Sequence, residues 1–220
     1  MIVFIFGQDV FLCELCMSRQ VFKNLPCLKR SMEITKKQFN YLTWLTLVGF
    51  SALGFALIYF FQKKEPLSIF ENGQPWYLQI FMGGVFGWLI GEVAKQIIKT
   101  KWMADISIFF ADIVRELQLS TTEILFYSLC AGVGEEVLFR GAIQEWLGIW
   151  LTSIVFIALH GYLNPMNWKI TVYGFFMIFL SAGLGYLYLY AGIISAMTAH
   201  FAVDVVLFLF LKNRLPNPEN

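Results

Sequence analysis

Residues 134–141 read "GEEVLFRG", and they end an apolar run with two glutamates and an arginine where a membrane span should carry none. If the run crosses a bilayer, Glu135, Glu136 and Arg140 must face something inside the protein. If it does not, they belong to a loop. The surrounding composition favours the first reading. The chain has 220 residues, of which 58% are hydrophobic and 18% aromatic, and its net charge is +1. Its mean hydropathy is +0.65. A soluble core of this size could not hide that much apolar surface. The near-zero charge gives no basis for nucleic acid as a partner.

About six stretches are long and apolar enough to span a hydrocarbon core, which takes roughly 20 helical residues. They run near 41–61, 76–94, 121–140, 146–162, 170–190 and 193–211, the fourth being short. The segment 102–118, "WMADISIFFADIVRELQ", places Ile106, Phe109, Phe110, Ile113 and Val114 at helical spacing against Asp105, Asp112, Arg115 and Glu116. That pattern predicts an amphipathic helix along the interface. The expected fold is therefore an all-α, polytopic transmembrane bundle. Its expected divisions are an N-terminal segment (1–40), accessory spans with the interfacial helix (41–118), a core (119–212) and a tail (213–220). Of the sixteen Lys and Arg, thirteen fall in the segments on the N-terminal side and three, Lys63, Lys64 and Arg140, on the other. The excess predicts both termini in the cytoplasm.

The first 31 residues carry Cys13, Cys16 and Cys27, but no His supplies a fourth ligand for a zinc site there. "MIVFIFG" is too short for a signal peptide, and translation from Met32 would place "MEITKK" ahead of the first span.

The chain has two histidines, both in predicted spans: His160 closes "FIALH" and His200 opens "HFAVD", which ends at Asp204. Each charge at the bilayer centre costs on the order of 2.5–3.5 kcal/mol. Six such groups facing lipid would exceed a domain's usual margin of roughly 5–15 kcal/mol. Glu135, Glu136, Arg140, His160, His200 and Asp204 must therefore face one another or a wet cavity. Spacing agrees: Glu136 with Arg140, and His200 with Asp204, are four apart and share helix faces. Phe156 lies four residues before His160 on the same face. A short connection near 141–146 would fold the third and fourth spans antiparallel and bring Glu135 towards His160. Gly83, Gly87 and Gly91 make two overlapping GxxxG units, a close-approach face for another helix. Gly132 and Gly134 allow the backbone a similar approach, or a kink, beside the glutamates.

"EEVLFR", "FIALH" and "HFAVD", in that order over about residues 121–210, resemble the EExxxR, FxxxH and HxxxN/D motifs of the CPBP family of intramembrane proteases. That family includes the type II CAAX prenyl endopeptidases and bacterial proteins linked to bacteriocin processing or self-immunity. The resemblance implies a peptide hydrolase of the bacterial cytoplasmic membrane that acts on a peptide or protein substrate. In it Glu135 would activate a water, His160 would hold and polarise that water, and Glu136 with Arg140 would support the base. His200 and Asp204 would stabilise the oxyanion. No cofactor is expected. If a metal served instead, Glu135, His160 and His200 would be the zinc ligands, although HExxH is absent. No Ser or Cys nucleophile competes, since Cys130 lies about 140° round the helix from Glu135. Two other classes keep a place: a non-catalytic membrane partner or immunity protein of the same family, and a proton-coupled transporter. The transporter would normally repeat its charges in both halves, and the first two spans carry no matching motif.

Overall fold

A computed structural model describes residues 35–214, apart from the side chains at 105 and 109. The expectations for Cys13, Cys16, Cys27 and Met32 lie outside these residues. The described chain is helical throughout its regular structure. Helix α1 (Lys36–Gln62) starts from a capping box in which Thr35 and Gln38 satisfy each other's free groups. It is followed by α2 (Trp76–Lys99) and a short α3 (Ala104–Glu116). Helix α4 (Thr121–Glu136) opens on a second capping box, Ser120 with Glu123, and runs through a wide π segment, Val137–Ile143, into α5 (Gln144–Leu159). Helices α6 (Trp168–Ala191) and α7 (Ile193–Lys212) complete the bundle. Five helical stretches are long and apolar enough to cross a membrane, the third being the 39-residue run Thr121–Leu159. The protein is an integral, multi-pass membrane protein.

That third stretch is two limbs. Gly148, at φ 69° and ψ 174°, is non-helical within it, in a region of backbone space essentially restricted to glycine. Were the helix straight, residues 135 and 160 would stand about 38 Å apart. Instead His160 Nε2 lies 3.4 Å from Glu135 Oε2, so the chain reverses at Gly148. The antiparallel pair is as expected, but the connection expected near 141–146 is corrected. Residues 137–143 remain helical, and the turn lies a few residues later. The returning limb, 149–159, rises only about 16 Å and crosses roughly half a hydrocarbon core.

Contacts at the two ends fix the directions. Lys36 pairs with Glu123 at 2.7 Å, Lys212 Nζ reaches Thr121 Oγ1 at 3.5 Å, and Arg214 donates to Ile98 O at 3.3 Å. At the opposite end Lys64 pairs with Glu145 at 2.7 Å, and Gln74 N donates to Ala191 O at 2.8 Å. Helices α1, α4 and α6 therefore rise from the Lys36 end, while α2 and α7 descend to it. Both described ends of the chain lie on one face of the bundle.

The glycine face of α2 packs on α7. A Cβ at Gly83 would lie 2.2 Å from Ser195 O, and one at Gly87 would lie 2.2 Å from Ala199 O. Only hydrogen permits that approach, and it fixes the residue next to His200. Gly134 presses as closely on Thr46 O of α1, with no kink there. Helix α3 is amphipathic as predicted, yet its apolar side is turned inward. Ile106, Ala111, Ile113 and Val114 are buried against the bundle, while Arg115 and Glu116 are exposed.

Candidate active site

The π segment after Glu136 widens the helix where the charges sit, a distortion often found at functional sites. It leaves Arg140 fully buried, with Nε 3.0 Å from Glu136 Oε2 and Nη2 donating to Ser181 Oγ of α6 at 2.9 Å. Its guanidinium also stands over the Phe156 ring, 5.4 Å from the centroid. The other oxygen of Glu136 accepts from His200 Nδ1 at 2.8 Å. Ser181, Arg140, Glu136 and His200 thus form one buried chain of charge-assisted hydrogen bonds across α6, α4 and α7. A buried carboxylate with two such partners keeps its charge away from lipid.

Glu135 is fully buried beside this chain. His160 Nε2 stands 3.4 Å and His200 Nε2 3.8 Å from its Oε2. The outer nitrogens set the roles of the inner ones. His160 Nδ1 donates to Phe156 O at 2.7 Å, and the Phe156 ring packs 4.1 Å from the imidazole, centroid to centroid. In the neutral ring that leaves Nε2 of His160 as an acceptor facing Glu135. His200 is committed at Nδ1 to Glu136, and its Nε2 points between Glu135 and Asp204, whose Oδ2 is 3.9 Å away. Protonated on both nitrogens, this ring carries an N–H into that space.

A cavity of about 110 Å³ adjoins the imidazoles. Its polar lining is His160, His200, Asp204 and Ser181 with the phenols Tyr162 and Tyr173, and the rest is apolar. It extends towards the Lys36 end, where Phe110, Ile113 and Val114 of α3 and Leu211 of α7 border it. The helix expected to lie on the membrane surface therefore lines the cavity.

The structure brings all six expected residues together at mid-bundle. It differs in how they are joined: Glu136 bonds His200 directly and is not simply a neighbour of Glu135. Among the described residues, no group of three or more His, Cys, Asp and Glu is arranged to hold a metal ion. Sequence reasoning missed Ser181, because one serine among the small residues of an apolar helix has no distinguishing spacing. It also missed Tyr173, which reads as an ordinary interfacial aromatic.

Residues 117–206 match the profile of a family described as type II CAAX prenyl endopeptidase, Rce1-like. An uncharacterized protein of Bacillus subtilis strain 168, YpbD, is 38% identical over 89 residues, which is 40% of this chain. The match covers 44% of that protein, less than half its length. No solved structure matches the chain.

Proposed function

We propose, from the match of residues 117–206 to the Rce1-like family of type II CAAX prenyl endopeptidases, that this chain is an intramembrane peptidase in which Glu135 activates a water. The observation that carries the reading is the convergence of both imidazole Nε2 atoms on Glu135 Oε2, at 3.4 and 3.8 Å. A water lodged against Glu135 and His160 would donate one hydrogen to the carboxylate and the other to His160 Nε2. Its lone pair is then free to attack.

Attack forms the C–O bond and passes the water's proton to Glu135, while the carbonyl oxygen becomes an oxyanion. His200, held by Glu136, donates from Nε2 to that charge. Collapse breaks the C–N bond, and Glu135 returns the proton to the departing amine. Arg140 and Ser181 act at a distance: they fix Glu136, which fixes His200. No metal enters the scheme. That choice rests on the absence of an HExxH pair in the sequence, and chelation tests it. We place the protein in the bacterial cytoplasmic membrane on the strength of its Bacillus relative, with a membrane-associated peptide or protein as substrate.

The deciding experiment compares membrane fractions of cells carrying wild type and Glu135→Ala for peptides that fail to appear. The cleavage site found is then rebuilt as a quenched fluorescent peptide. Glu135→Gln should be folded, inserted and inactive, since the amide keeps the shape but cannot take the proton. Normal turnover by that variant would remove Glu135 from the role of base. Wild-type activity should survive EDTA and phenanthroline, and loss restored by zinc would return His160 and His200 to a metal site.

A further inference from the structure

The oxyanion in this scheme is short of donors. A preorganised site stabilises such a charge with hydrogen-bond donors aimed at it. Asp204, the last residue of "HFAVD", only accepts when ionised. That leaves His200 Nε2 as the donor provided by the motif residues. Among the hydroxyls in the cavity wall, those of Tyr162, Tyr173 and Ser181, only that of Tyr173 is buried without a partner among the described residues. Tyr173, in the first turns of α6, lines the cavity with Asp204 and His200. It is 2% exposed, and its hydroxyl makes no hydrogen bond with any described residue. Its ring packs against Tyr162, edge-on at 5.5 Å, and Phe176, stacked at 6.2 Å, between centroids. Tyr173 and Asp204 are also within electrostatic reach of each other.

A buried hydroxyl without a partner costs stability. Held by its neighbours in the wall of a reaction cavity, it is the kind of group that finds its partner in a substrate. Resting on the peptidase reading above, we infer that Tyr173 is a catalytic residue whose hydroxyl donates a hydrogen bond to the oxyanion, supplying what the Asp204 carboxylate does not. The proton stays on the tyrosine. Only the hydrogen bond strengthens as the carbonyl oxygen takes up charge.

Tyr173→Phe removes the hydroxyl and keeps the ring, so it separates catalysis from packing. With the quenched peptide, kcat should fall about a hundredfold, the usual loss on removing one oxyanion donor, with KM little changed. The melting temperature should stay level or rise, because an unpartnered buried hydroxyl has gone. A clear fall in melting temperature would show that the hydroxyl is bonded structurally and would overturn the inference. So would full activity in Tyr173→Phe while Glu135→Gln is dead, an outcome that leaves the peptidase reading standing. Activity in Glu135→Gln would instead remove that reading. A further arm uses Asp204→Asn, whose amide adds a donor. In that background the loss on Tyr173→Phe should shrink to a few-fold, and an undiminished loss counts against the inference.

Discussion

Arg140 holds two partners from two positions on one fork, Glu136 through Nε and Ser181 through Nη2. Lysine presents one point charge and cannot bridge them. Arg140→Ala leaves Glu136 buried with only His200, a change that typically costs about 3–5 kcal/mol. A large drop in melting temperature and loss of peptide cleavage are expected, with Arg140→Lys recovering little of either. A stable and active Arg140→Lys would show that charge alone suffices. Asp204 has a different standing. The carboxylate that orients His200 is Glu136, at 2.8 Å, while Asp204 stands 3.9 Å from Nε2. Asp204→Asn should therefore keep most of the activity. A pH–rate profile that is uniformly low would show that the carboxylate itself is needed.

At the scale of elements, the site depends on how closely α2 lets α7 approach. A Cβ at Gly87 would meet Ala199 O at 2.2 Å and its Cα at 2.7 Å, whereas one at Gly84 meets only Thr198 Cγ2 at 3.9 Å. Gly87→Ala must push α7 outward beside His200, so both stability and cleavage should fall, while Gly84→Ala should behave as wild type. Equal behaviour of the two variants in unfolding and cleavage assays would contradict this packing. The glycine repeat, the charged helix faces and the shared face of Phe156 and His160 were legible because helical periodicity alone defines them. The turn at Gly148 was not. Gly148 is itself the one mark there, but a lone glycine between the apolar Leu147 and Ile149 also reads as one tolerated inside a helix, and nothing lies within 4 Å of a Cβ built on it to signal a packing demand. The inward facing of α3 was equally hidden, since an amphipathic helix reads the same whether lipid or protein takes its apolar side.

For the whole molecule, the open question is which compartment the cavity serves. Counting residues along α4 alone sets Glu135 slightly beyond the middle, about 21 Å from the Lys36 end, which suggests an outward site. The cavity argues otherwise, because its lining runs from His160 and His200 towards α3 and Leu211 at the Lys36 end. Lys95, Lys99, Lys101, Lys169 and Lys212 gather at that end, while Lys63 and Lys64 stand at the other. Basic residues are retained on the cytoplasmic side during insertion, so the cavity should face the cytoplasm. A substrate would then reach Glu135 past the buried face of α3. Single cysteines in a cysteine-free background test the orientation directly. Gln118→Cys, at the Lys36 end, should react with a membrane-impermeant maleimide only in inverted vesicles, and Asn72→Cys, at the Lys64 end, only in right-side-out vesicles. The reverse labelling would turn the cavity to the outer face and exclude cytosolic proteins as its substrates.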